Sequence, residues 1–238
     1  MAKLHDQKGK LFNPDSGNFE ECVIKFNGRN GFWYRPGTFD LNSIRECRDN
    51  YSDIDTCGKT VLDLGANIGG FSKMALQKGA KKLIALEPCP YNFQILEINA
   101  PNAECFNAAV CESELEEVVF HYAGSKRNSV SSSTLKRRNA SGVSISVPGL
   151  SFSGLLEKYK PEILKIDIEG KEYDILDSID KIPDFVEIVG IEFHNTRKPY
   201  SEYPLRFFPE ADWKKVEHPI LMFGQKKVLD YTFYRKHI

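Results

Sequence analysis

The stretch TVLDLGANIGGFSKMALQKGAKKLIALE, residues 60–87, constrains the fold more than any other part of the chain. A short apolar run (60–65) ends in a glycine. An amphipathic run (70–79) follows and also ends in a glycine, where a helix terminus favours one. A second apolar run (82–87) then ends in Glu87. The period of the pattern goes from two to 3.6 and back, which predicts strand, helix, strand. The same alternation continues downstream. A helix is predicted over 91–99, a third strand over 103–110, an extra strand over 116–122, and strands over 162–167 and 186–193 flanking a helix over 171–179. Residues 227–235 alternate as an antiparallel edge strand would. Such a pattern predicts a mostly parallel sheet covered by helices on both faces.

Two regions fall outside this rhythm. Residues 1–58 read as an N-terminal appendage packed on the core, with one helix around Leu41 to Asn50, and residues 59–238 carry the main unit. At 238 residues and 41% hydrophobic content, a single structural domain is expected. The second region, GSKRNSVSSSTLKRRNASG (124–142), is polar, rich in serine and cations, and reads as a surface loop near the mouth of a site.

Charge and cysteine usage narrow the function. With 32 basic against 33 acidic residues, the net charge of −1 gives no global pull toward nucleic acid or an anionic membrane. The six cysteines lack the spacing of a zinc site and read as reduced thiols. No apolar leader and no long apolar run is present, so a cytoplasmic protein without membrane attachment is expected.

The chemistry begins with VLDLGANIGG. A strand, a glycine-containing turn and a helix start together present backbone N–H groups to a nucleotide-like ligand. Asn67 stands where the dinucleotide fingerprint has its second glycine, which weakens a nicotinamide or flavin reading. Glu87 ends the next strand 22 positions after Gly65, the place for an acid that accepts from ribose hydroxyls. The combination points to an adenosyl ligand.

VLDLGANIGGFS, LIALEPCPYNFQILEIN, FNAAV, LKIDIEGKEYDIL and IEFH together resemble the FkbM-type group of class I S-adenosylmethionine-dependent methyltransferases, over about Arg35 to His194. The resemblance implies an α/β, Rossmann-like class I methyltransferase fold with a seven-stranded, mostly parallel sheet, and S-adenosyl-L-methionine as cofactor. It implies that Asp63, Gly65, Asn67 and Gly69 surround the methionine and sugar, that Glu87 holds the ribose, and that Asn107 and Ala108 lie along the adenine edge. RPGTFD (35–40) is similar to a segment preceding the core in this family, so Arg35, Thr38 and Asp40 are expected to help close the cofactor pocket. One departure is LSFSGLL (150–156), where Ser153 stands in place of an aspartate often found in the family.

The run LKIDIEG places acids where an apolar strand ends. Side chains alternate along a strand, so Lys165, Asp167 and Glu169 share a face while the strand lasts, and Glu192 and His194 share one in IEFH. If these strands are neighbours, their ionisable groups converge beside the cofactor. O-methylation is expected, with Asp167 and Glu169 handling the substrate, and the resemblance implies a hydroxyl of a sugar, glycan or other specialised metabolite as acceptor. Asp167 or Glu169 could instead cap the following helix, and Lys165 could be a plain ion-pair partner. His194 is expected to act as the base near its ordinary pKa of about 6.5, without a metal. The rival readings are an RNA methyltransferase, with Lys126, Arg127, Lys136, Arg137 and Arg138 as a phosphate patch, and a catalytically silent adenosyl-binding scaffold.

Overall fold

The structure, a computed structural model, describes residues 10–13, 18–21, 24–29, 31–121, 144–194, 206–218 and 229–236. The chain opens with two small antiparallel pairs, β1 (Lys10–Asn13) with β2 (Asn18–Glu21) and β3 (Lys25–Asn27) with β4 (Phe32–Tyr34). Helix α1 (Asp40–Tyr51) leads into the core, which begins with β5 (Thr60–Leu64), α2 (Gly70–Gln77), β6 (Lys82–Leu86), α3 (Pro90–Asn99) and β7 (Glu104–Phe106). Then come β8 (Ala109–Cys111), β9 (Leu115–His121), β10 (Ser144–Ser151), α4 (Phe152–Tyr159), β11 (Ile163–Ile166), α5 (Glu172–Asp177), β12 (Ile188–Phe193), β13 (Trp213–Glu217) and β14 (Leu229–Arg235).

Seven strands form the main sheet in the order β13-β14-β12-β11-β5-β6-β7. β7, β6, β5, β11 and β12 run parallel, whereas β14 is antiparallel to both β12 and β13. The sheet is therefore mixed, and two expectations are corrected. The C-terminal strand is not the edge: it inserts between β12 and β13, burying Tyr231, Thr232 and Phe233, and β13 takes the edge. Alternation in β14 reflects two differently packed faces, a pattern that inner and edge antiparallel strands share. The third strand stops at Phe106, and the following Ala109–Cys111 joins a separate three-stranded sheet, β8-β10-β9.

The period-two pattern sorts the core into two layers. Leu62, Leu64, Ile84, Leu86, Leu164, Ile166, Val189 and Ile191 pack with Phe152 and Leu155 of α4 and Ile175 and Leu176 of α5. Val61, Leu83, Ala85, Ile163 and Ile188 face the other way, onto Tyr51, Ile54, Phe71, Ala75 and Leu96. Tyr51 and Ile54, both before residue 58, are almost wholly buried there. Each such side chain contributes roughly 1.5–3 kcal/mol of burial free energy. Asp230 of β14 adds hydrogen bonds from Asn50 Nδ2 (2.6 Å) and the Tyr51 hydroxyl (2.8 Å), tying the C-terminal end of α1 to the sheet. Among the described residues no helix is long and apolar enough to cross a membrane. The serine-rich stretch 124–142 lies outside the described residues.

Candidate active site

The site lies at the carboxyl ends of β5, β6, β11 and β12, where the chain order reverses between β5 and β11. Open α/β sheets bind ligands at this switch point. After β5 the main chain turns through Gly65 (φ +77°), Asn67 (φ +52°) and Gly69 (φ +87°) into α2. Gly65 is required twice over: its φ is left-handed, and a Cβ there would stand 1.8 Å from the carbonyl oxygen of Asp167. Gly65, Asn67, Leu86, Glu87, Pro88, Asn92, Ala108, Ala109, Val110, Phe120, Asp167, Ile168, Glu169 and Lys171 line one pocket.

Its β5–β6 half is apolar except at a few points. The Glu87 carboxylate accepts from the N–H groups of Asn67 (2.8 Å) and Cys89 (2.9 Å), and burial pushes its pKa up to about 7. Oε1 also accepts from Asn92 Nδ2 at 3.4 Å, so Oε2, with one donor, is the oxygen that keeps acceptor capacity of the kind a ribose hydroxyl requires. Asn67 Oδ1 is buried with no hydrogen-bond partner, although Asn67 lines the pocket. Buried polar atoms are rarely left so, and this one marks a position for a ligand donor. The cradle at Gly65, the strand-end acid, the orphaned amide oxygen and the walls of Leu86, Pro88, Ala108, Val110, Phe120 and Ile168 fit an adenosyl group.

Other residues expected at the cofactor stand behind the pocket. Asp63 is fully buried beneath it, accepting from Ser72 Oγ at 2.6 Å, with burial holding its pKa above the carboxylate norm. Gly69 packs under Leu96 and Asn99. Asn107 turns its amide onto the carbonyls of Glu87 (2.9 Å) and Pro88 (3.0 Å), because β7 ends one residue earlier and leaves those acceptors to be satisfied. Arg35 is buried, bonded to both oxygens of Asp40 (2.9 and 2.7 Å) and to Asn92 Oδ1 (2.8 Å), so it props the pocket wall through Asn92. Thr38 caps the same turn, donating to the Arg35 carbonyl at 2.8 Å. Ser153, exposed, meets Ser151, the N-cap of α4.

The β11–β12 half is dense in carboxylates. Lys165 Nζ donates to Asp167 Oδ2 and to the Gly65 carbonyl, both at 3.1 Å, and lies 3.8 Å from Asp63. Burial alone would lower the lysine's pKa, but Asp167 and Asp63 outweigh it and keep the ammonium charged. Glu169, with φ +59°, sits in a left-handed conformation that is strained for glutamate and turns toward the pocket. His194 is buried. Its Nδ1 is 3.0 Å from Glu172 Oε1, and its Nε2 is 3.2 Å from Glu192 Oε1 and 3.9 Å from Glu169 Oε2. Burial disfavours its charge, but the bonds to Glu172 and Glu192 win and raise its pKa well above the ordinary value. Both ring nitrogens of the histidine expected to act as the base thus face carboxylates.

Three participants escaped the sequence reading. Glu172, fully buried, binds His194 and the N–H groups of Ile168 (3.3 Å) and Gly170 (3.0 Å) in the bend before α5, whereas the N-cap of that helix, Lys171, has no side-chain cap, so neither Asp167 nor Glu169 takes the capping role considered for it. Glu172 was visible as the last acid of KIDIEGKE. Glu46 of α1 and Asp230 of β14 face the same cluster. Burial and the surrounding acids push Glu46 up to about 8, and burial pushes Asp230 up to about 6. No local signal marks either.

A mixed sheet of this order, with one reversed strand next to the edge and an acid at the end of the second strand beside a glycine turn, is the arrangement expected of a class I methyltransferase fold. The family described as Methyltransferase FkbM domain matches residues 63–212, and the chain belongs to it. No curated protein matches the chain in sequence. Among solved structures it is similar to Trm5b from Pyrococcus abyssi (14% identity over 93% of this chain and 58% of that one, TM-score 0.47). It is also similar to the M. jannaschii tRNA m1G37 methyltransferase (14%, 92% and 56%, TM-score 0.46). A third is P. horikoshii TYW2 in complex with MeSAdo (15%, 91% and 73%, TM-score 0.46). At these identities and scores nothing about the acceptor follows from them.

Proposed function

We propose that this methyltransferase, a single domain acting in the reducing cytoplasm, methylates a hydroxyl of a sugar or glycan. The observation that carries the reading is the carboxylate cluster at the ends of β11 and β12, opening onto the cofactor pocket at Asp167 and Glu169. Carboxylates accept hydrogen bonds from hydroxyl groups, and a hydroxyl becomes a good nucleophile as its proton leaves. S-adenosylmethionine, when bound, supplies a methyl group already activated by its positive sulfur.

The chain's own residues then have three tasks. Gly65, Asn67 and Glu87 hold the cofactor. Asp167, fixed by Lys165, orients the acceptor hydroxyl. Glu169 takes its proton, replacing His194 in that role, because both ring nitrogens of His194 are turned onto carboxylates. The same charge argues against a polyanion: an RNA phosphate would approach a mouth lined by acids. The basic cluster Lys126, Arg127, Lys136, Arg137 and Arg138, which could offset this, falls outside the described residues.

The test is methyl transfer from labelled S-adenosylmethionine into a glycan and sugar-nucleotide pool and, separately, into an RNA pool. Label in the sugars is expected. Label in RNA alone overturns the acceptor assignment. Label in neither, with the cofactor still bound, makes the chain a silent adenosyl-binding scaffold.

A further inference from the structure

We propose that Asp167, Glu192 and His194 form a divalent-cation site at the acceptor end of the pocket. This rests on the hydroxyl-methylation reading and extends it, since the cation would select an acceptor with two neighbouring hydroxyls. It also replaces the metal-free expectation drawn from sequence.

Geometry is the first support. One ligand atom from each of the three residues lies within 4.8 Å of the other two. A cation bound at about 2.1–2.4 Å has ligands about 3.0–3.4 Å apart when adjacent and about 4.2–4.8 Å apart when opposite. The 3.2 Å separation of His194 Nε2 and Glu192 Oε1 is one edge of such a shell.

The histidine's orientation is the second. Metal-binding histidines commonly donate their other ring N–H to a carboxylate, which fixes the tautomer and aims the free nitrogen at the metal. Glu172, fully buried, takes that place on Nδ1 at 3.0 Å. Nε2 is thereby directed toward Glu192 and the open side of the cluster. Glu172 is itself held by backbone N–H groups of the bend after β11, so the aim of the ring is set by main chain.

Charge and access are the third. The acids gathered here outnumber the lysine among them, Lys165, which is committed to Asp167 and the Gly65 carbonyl, and His194 would bind the cation as the neutral imidazole, giving up its Nε2 proton to solvent. The three proposed ligands are not sealed off: their side chains are 29%, 15% and 11% exposed for Asp167, Glu192 and His194. Two carboxylates and one imidazole suit a borderline-hard divalent ion such as manganese or magnesium. Three protein ligands leave open positions. Two oxygens of a vicinal diol on a sugar ring would chelate there, and the bound hydroxyl would be acidified beside Glu169.

The experiment titrates the full chain with Mn²⁺ alone, reading free Mn²⁺ by electron paramagnetic resonance, with Mg²⁺ as competitor. One Mn²⁺ per chain is expected, displaced by Mg²⁺. Glu192→Gln and His194→Asn should weaken it by about 100-fold and Glu172→Gln by about 10–100-fold, whereas Asp184→Asn, on the exposed surface, leaves it unchanged. Absence of Mn²⁺ binding to the wild-type chain overturns the site without depending on any variant's folding. So does equal binding by Glu192→Gln once its melting temperature shows it folded. The two readings fail separately. Hydroxyl methylation that persists in EDTA removes the cation and keeps the acceptor class. Specific Mn²⁺ binding with no sugar labelled keeps the cation site and removes the acceptor class.

Discussion

On the proposed assignment, the two halves of the pocket recognise by different means. On the β5–β6 side, recognition is by main chain: a left-handed turn, exposed N–H groups and one acid, Glu87, held by two backbone donors. On the β11–β12 side it is by side chains, with acids contributed from α1, β11, α5, β12 and β14 around two cations. The first half has few ways to vary while still holding the same cofactor. The second can change its chemistry one side chain at a time, which is what an enzyme needs when the donor is constant and the acceptor is not.

The sharpest way to separate the halves is Glu169→Gln. Loss of the proton acceptor should lower kcat by about 10²- to 10⁴-fold, with S-adenosylmethionine affinity by calorimetry unchanged. A parallel loss of cofactor affinity would dissolve the distinction. Gly65→Ala should do the reverse of a local change. A left-handed alanine pressed on the Asp167 carbonyl costs about 2–5 kcal/mol in sum, seen by chemical denaturation, and both halves should suffer together. Glu87→Ala should weaken cofactor binding by about 1.5–3 kcal/mol, and leave the acceptor KM as it was.

The smallest effect is on pH. Folding holds protons on Glu46 (about 8), Glu87 (about 7) and Asp230 (about 6) that an unfolded chain, with carboxyls near 4, releases. Between about pH 4.5 and 8 the folded state therefore binds more protons, and stability falls as pH rises. His194, with its raised folded pKa, adds the same sign above about pH 6.5. Thermal melts from pH 5 to 8 should show a declining melting temperature. Glu46→Gln should flatten the decline, by about 2–4 °C for each kcal/mol it contributes. An unchanged slope would remove Glu46 from the acceptor-side cluster.

Legibility followed the same division. The β5-turn-α2 unit, the parallel strands and the helix in α1 were readable because period and glycine placement are local. Glu87 and Asp167 were readable as strand-end acids. Where β14 inserts was not, since alternation says nothing about which neighbours a strand will have. The state of His194 was not, because it depends on Glu172, 22 residues away and on another element. Glu46 and Asp230 lie 121 and 63 positions from Asp167, and only the folded sheet brings their charges to bear on it.

The close approach of Gly65 to the Asp167 carbonyl has a mechanical consequence. Cofactor turn and acceptor strand meet there as main chain on main chain, with Asp167 N–H also donating to the Leu64 carbonyl at 3.0 Å. Nothing compressible lies between them. On the proposed assignment the span from donor to acceptor is thus set like a fixed gauge. Exchanging acceptor-side residues re-chooses what is methylated without resetting the reach of the transfer.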